Sequence, residues 1–147
     1  MLKKILSVSG RGGLYKHISQ TKTMLIVESL TADKKRLPIY NREKVVSLSD
    51  IAMYTIEEEI PLHVVLTSMK EKENSEKCAI DLSSANNDTL RAYLEEVLPN
   101  FDRDRVYPSD IRKLILWYNV LIEFGITDFS PNEKEEENKQ TEKVDNP

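Results

Sequence analysis

The spacing of the apolar residues changes at Pro61, and that change fixes the fold class before any motif is considered. Upstream, apolar and polar residues alternate in short runs broken by turn residues, the pattern of half-buried strands. Residues 14–19 place Leu14, Lys16 and Ile18 on one face and Tyr15 and His17 on the other, after the turn signal Gly10-Arg-Gly-Gly13. Residues 24–27, Met-Leu-Ile-Val, suit a central strand, and 36–40, 44–48 and 51–54 complete the series. Pro38 lacks an amide donor, so its strand is expected at a sheet edge or at a bulge. Strands this short and closely spaced predict a small SH3-like β-barrel or a bent antiparallel sheet.

Downstream of Pro61 the period is helical. Leu62, Val65, Leu66 and Met69 share one face, with Pro61 at the first helical position and Glu57, Glu58 and Glu59 placed to favour a helix N-terminus. Residues 71–77 are wholly polar and read as a linker, and Ala79-Ile80 as a very short strand or buried clip. A second helix carries Leu90, Tyr93, Leu94 and Val97, with Asn87 or Asp88 as its cap and Pro99 as its stop. A third carries Ile111, Leu114, Ile115, Tyr118, Leu121 and Ile122, capped by Ser109 or Asp110 and ended at Gly125. Residues 130–147 contain one aliphatic side chain, Val144, and are expected to be disordered. The fold class is therefore α+β. The expected organisation is a basic β-rich module (1–56), a connecting helix and linker (57–83), a helical module (84–129) and a charged tail (130–147).

The chain has a net charge of −4, but the charge is unevenly spread. Residues 1–46 hold ten lysines and arginines against three carboxylates, a surplus of seven, which leaves −11 for the remainder. Such asymmetry speaks about partners and not about fold. Lys16, Lys34, Lys35, Arg36 and Arg42 fall on the predicted strands and turns with Tyr15 and Tyr40 among them. Cations interleaved with aromatics are what holding phosphates and stacking bases requires. The first expectation is thus a non-enzymatic module binding nucleic acid, RNA rather than duplex DNA, through a basic sheet face. The plainer reading of the same residues is a solvated, edge-protecting surface. The alternative expectation is a protein-interaction or adaptor module, homodimeric through the aromatic-rich third helix, with Trp117, Tyr118 and Phe124 at the interface.

Catalytic signatures fail on inspection. The Gly10-Arg-Gly-Gly13 stretch lacks the Lys-Ser/Thr pair of a P-loop and leads into a strand. Asn100-Phe-Asp-Arg-Asp104 opens like a calcium loop, but Arg105 stands where glycine is required and Ile111 where a bidentate glutamate is required. Its aspartates and arginines are instead expected to pair within a turn. Cys78 is the single cysteine, so neither an intrachain disulfide nor a thiolate metal cluster can form, and a reducing cytoplasmic compartment is expected. His17 and His63 are the only histidines, and no nucleophile–base pair is implied by spacing. No enzyme, cofactor or metal is expected. The first nine residues imitate a signal peptide, but Ser7, Ser9, Gly10 and Arg11 cut the apolar run short, and no stretch would cross a membrane.

Five segments taken together carry a resemblance: Gly13-Leu-Tyr-Lys16, Met24-Leu-Ile-Val-Glu-Ser-Leu30, Leu98-Pro-Asn-Phe-Asp-Arg103, Val106-Tyr-Pro-Ser-Asp-Ile111 and Trp117-Tyr-Asn119. Over residues 1–129 the chain resembles a family of short uncharacterised bacterial proteins classed as domains of unknown function. The resemblance implies a soluble protein with an N-terminal β module and a C-terminal helical module, and it carries no functional residues.

Overall fold

Strand pairing organises the N-terminal half. A computed structural model describes residues 2–11, 13–40 and 43–129. Five strands, β1 (Ile5–Val8), β2 (Tyr15–Gln20), β3 (Met24–Ser29), β4 (Arg36–Tyr40) and β5 (Val45–Ser47), form one antiparallel sheet in the order β4-β3-β2-β1-β5. Among the described residues β4 and β5 are its two edges. The sheet is therefore open, and the closed SH3-like barrel among the expectations is corrected to an antiparallel sheet.

Alternation decides what the sheet buries. The pairs Leu6↔Tyr15, Val8↔Val45, His17↔Val27, Val27↔Leu37 and Leu25↔Ile39 put these side chains on one face. On that face Leu6, Val8, Val27 and Ile39 form a buried cluster with Tyr15, Leu25, Leu37 and Val45 packed against it. A register shift between His17 and Ser19 marks a bulge in β2. Strand β1, in the segment that imitates a signal peptide, lies between β2 and β5. Pro38 sits on edge strand β4, as its missing amide requires. At the end of that strand the Tyr40 N–H donates to Glu43 Oε2 (3.1 Å) and the Glu43 N–H to the Tyr40 carbonyl (2.9 Å). The edge is thus blunted against pairing with another chain.

Two compact units divide the described residues: those up to Asp50 together with Asp128 and Phe129, and Ile51–Thr127. The second unit opens with a hairpin, β6 (Ala52–Tyr54) and β7 (Glu59–Pro61). Three helices follow, α1 (Leu62–Lys72), α2 (Asn87–Val97) and α3 (Pro108–Glu123). Their buried faces match the helical spacing read from sequence: Leu62, Val65, Leu66 and Met69 on α1, Leu90, Tyr93 and Leu94 on α2, and Ile111, Leu114, Ile115, Tyr118 and Leu121 on α3. The helix starts differ from expectation. Asn86 caps α2, its Oδ1 accepting from the Thr89 N–H at 2.8 Å. Helix α3 begins two residues before Asp110, because Pro108 occupies the first helical position and the Asp110 carboxylate accepts from the Tyr107 N–H at 2.9 Å.

Residues 57–59 do not open a helix. The Thr55 hydroxyl accepts from the Glu57 and Glu58 amides (3.3 and 2.9 Å), folding the segment into the β6–β7 turn, and α1 starts only after Pro61. The polar stretch expected as a linker starts inside α1 and is then tied down. The Tyr93 hydroxyl donates to Glu73 (2.7 Å), the Tyr118 hydroxyl to the Glu76 carbonyl (2.6 Å), and the Cys78 N–H to Asn119 Oδ1 (2.8 Å). Ala79 and Ile80 form a bend and no strand. The expected disordered tail, 130–147, lies outside the described residues.

Candidate functional site

Of the residues singled out by sequence, Lys16, Arg36 and Tyr40 share one face of the sheet, Tyr15 lies on the other, and Lys34 and Lys35 are in a turn. Tyr15 and Lys16 are consecutive on β2 and so point to opposite sides of the sheet. Tyr15 joins the buried cluster, while Lys16 stands opposite Glu28, which is also opposite Arg36 on the next strand. The Arg36 guanidinium pairs with that carboxylate at 3.4 Å. Arg11 is likewise paired with Glu43 at 3.1 Å. Lys34 and Lys35 are exposed in the β3–β4 turn, where Lys34 adopts φ +48° and its N–H donates to the Thr31 carbonyl. Lys35, Arg11 and Tyr15 border a shallow depression that also contains Asp33. Tyr40 is at the other end of β4, roughly 13 Å from Arg36 by strand geometry. Arg42 lies outside the described residues. Tracking a phosphate backbone needs successive unpaired cations along one surface, and among the residues singled out by sequence that are described, the exposed Lys34–Lys35 pair has that character.

The aromatic residues of α3 are used inside their own unit. Tyr118 is fully buried, Trp117 is 9% exposed and Phe124 is half-buried. They do not make the exposed aromatic patch expected of an interface.

Trp117 nevertheless reaches a surface feature absent from the sequence reading. On α3, Asp110, Lys113, Leu114 and Trp117 fall on one face by helical spacing, and with β6, Leu62 and the α2–α3 loop they enclose a hollow of about 230 Å³. Its buried lining is apolar: Met53, Leu62, Val106, Leu114 and Trp117. Its exposed lining is Ala52, Tyr54, Arg105 and Lys113. The charges around it are unequally committed. The Asp110 carboxylate caps α3. Arg105 bonds Asp102 at 2.9 Å and stacks on the Tyr54 ring at 4.1 Å, and this hydrogen bond holds the Asp102 carboxyl below the usual carboxylate range. Of the turn pairing expected for residues 102–105, Asp102 with Arg105 is present, while Arg103 pairs with Glu95. Lys113 has no ion pair among the described residues, so the hollow presents an apolar interior beside an unmatched cation. Four separate segments build it, which is why no local sequence signal announced it.

A second cluster surrounds Cys78, Glu73 and Tyr93. Burial pushes the Cys78 thiol up, away from the thiolate that nucleophilic chemistry needs. Burial, then the bonds to Cys78 and Glu73, pushes the Tyr93 phenol well above its ordinary value, and burial pushes Tyr118 up to about 12. A phenol whose folded value exceeds its unfolded value near 10 contributes stability that is complete below pH 10 and is lost as pH rises through the folded value. Urea stability is therefore expected to be flat to about pH 9.5 and to fall above pH 10, less steeply in Tyr93→Phe. Equal phenolate absorbance at pH 10.5 in wild type and Tyr93→Phe/Tyr118→Phe, corrected for tyrosine count and with circular dichroism intact, would contradict it. Among the described residues no group of three or more His, Cys, Asp and Glu side chains could hold a metal ion, and no helix is long and apolar enough to cross a membrane.

Comparison with known proteins divides the chain much as its contacts do. Residues 2–48 match the model of a domain of unknown function, DUF5606, and residues 51–121 that of a second, DUF6852. No curated protein matches the chain. Among solved structures, the solution NMR structure of a structural-genomics target from Bacteroides vulgatus is 58% identical, with a TM-score of 0.73 over 88% of this chain and 91% of that one. The chain belongs to this bacterial family, in which a DUF5606 sheet domain is followed by a DUF6852 helical domain.

Proposed function

We propose that the protein is a non-enzymatic interaction module of the bacterial cytoplasm, and that the hollow of its helical unit takes up one large apolar side chain of a partner protein. The observation that carries this reading is the hollow's size and lining together. At about 230 Å³ it falls below the ~300–1,000 Å³ of pockets that enclose small-molecule substrates. A cavity of about 150 Å³ already accepts benzene, so the volume suits a single anchoring side chain. Interfaces concentrate their energy in such anchors, set in desolvated pockets. The lone cysteine accords with a reduced compartment.

The test uses the exposed lining residue Ala52, where a larger side chain fills the hollow without removing any core atom. Selection from a random peptide library on the full chain should enrich peptides sharing one Leu, Ile, Met or Phe anchor. Ala52→Phe should weaken their binding by at least about tenfold while the circular dichroism spectrum stays unchanged. Enriched peptides indifferent to Ala52→Phe would overturn the proposal. So would binding of poly(U) RNA that falls steeply with salt and is lost on charge reversal of Lys34 and Lys35, since the function would then lie with the basic turn.

A further inference from the structure

Ile56 is 72% exposed, more than any other large apolar residue described, and it is followed by three exposed carboxylates, Glu57, Glu58 and Glu59. The tip carrying them is not a loose loop. The Ile56 N–H donates to the Asn100 carbonyl (2.9 Å), and Thr55 fixes the Glu57 and Glu58 amides, so the isoleucine is held outward on a set backbone. None of the three glutamates has an ion pair among the described residues, and neither does Lys113 beside the hollow. The unit thus carries an apolar pocket with an unmatched cation and, two residues beyond its wall at Tyr54, an apolar knob with unmatched anions.

We infer that the occupant of the hollow is a second copy of this chain: Ile56 of each protomer enters the hollow of the other, with Glu57, Glu58 and Glu59 against Lys113. The inference rests on the interaction reading above and supplies its partner. Three features favour self-association over the chain's own tail or a foreign segment. The tail offers only Val144 as an aliphatic side chain, so it lacks a comparable anchor. Knob and pocket are complementary in both shape class and charge, which a segment unrelated to this chain would match only by coincidence. The knob is on the β6–β7 turn and β6 is one wall of the pocket, so a two-fold axis can satisfy both contacts at once and the assembly closes at a dimer. Fixing the knob in advance lowers the ordering cost of association.

Sedimentation velocity of the full chain across a concentration series should show a reversible monomer–dimer equilibrium. Ile56→Ser, which removes an exposed side chain, and Ala52→Phe, which fills the pocket, should each weaken it at least about tenfold. Lys113→Glu should weaken it about fivefold and Lys113→Glu with Glu57→Lys and Glu58→Lys should recover part of the loss. Ile56→Ser keeps its pocket and Ala52→Phe keeps its knob, so a mixture of the two variants has one intact contact and should associate more tightly than either variant alone. A chain that stays monomeric at millimolar concentration, or a dimer insensitive to Ile56→Ser and Ala52→Phe, would overturn the inference. If peptides are nonetheless enriched in an Ala52-dependent manner, the interaction reading survives that result with a different partner; if they are not, both fall.

Discussion

Replacing Phe101 by alanine is expected to destabilise the helical unit by about 3–5 kcal/mol, the range for deleting a fully buried aromatic side chain. Phe101 has no exposed surface, and it holds the β6–β7 hairpin from outside the hairpin itself. It bridges Thr55, while the Ile56 N–H donates to the Asn100 carbonyl and the Asp102 N–H to the Tyr54 carbonyl, both at 2.9 Å. Residues 100–102 thus act as a short third strand whose only inward side chain is the phenyl ring. Arg103 lies over that ring at 4.3 Å but is itself exposed and paired with Glu95. Arg103→Ala is therefore expected to cost under about 1 kcal/mol. Trp117 is the chain's single tryptophan and belongs to this unit, so its fluorescence in a urea titration reads the unit directly. The two variants separate packing from cation–π attraction. A Phe101→Ala midpoint close to that of Arg103→Ala, with an unchanged denaturant slope, would mean that the ring is not the anchor described.

Legibility followed the length of each pattern. Helix α3 repeats its apolar spacing over 16 residues and was readable except at its start, and α1 and α2 nearly so. Strand β1 has four residues, too few for alternation to register, and the neighbouring lysines made it resemble the start of a signal peptide. Strand β7 has three, ending in a proline that also suits a helix start. The acidic run at residues 57–59 carried the same ambiguity, because carboxylates before a proline fit a helix N-terminus, and Thr55 resolves it toward a turn only through a side-chain bond. The surplus of cations in residues 1–46 was visible in the sequence, but the pairing of Arg11 with Glu43 and of Arg36 with Glu28 was not. That Glu28 stands between Lys16 and Arg36 depends on the registers of two strand pairs, which composition does not encode. The hollow was invisible for a related reason, since Ala52, Leu62, Val106 and Trp117 meet only after the unit has folded.

Thr55→Val should cost about 1–3 kcal/mol, the range for leaving buried polar partners without their hydrogen bonds. Among the described residues Thr55 is the buried polar side chain, 1% exposed. Its hydroxyl accepts from the Glu57 and Glu58 amides and donates to the Glu58 carbonyl, while its own N–H donates to that carbonyl at 2.9 Å. Valine keeps the shape and strand preference of threonine but replaces the hydroxyl with a methyl group, so the loss reports the hydrogen bonds and not a cavity. Thr55→Ser, which retains the hydroxyl, should recover most of the bonding while losing one methyl contact. The local consequence should exceed the global one. Without its hydroxyl clamp the turn samples other conformations, so amide exchange at Glu57 and Glu58 should quicken by more than the change in global stability accounts for. Ile56 would no longer be held outward in one conformation, and self-association should weaken although neither the isoleucine nor the pocket has been altered. Exchange rates at Glu57 and Glu58 matching wild type, with a urea midpoint shift worth less than about 0.5 kcal/mol, would show that the turn is fixed by its backbone bonds alone.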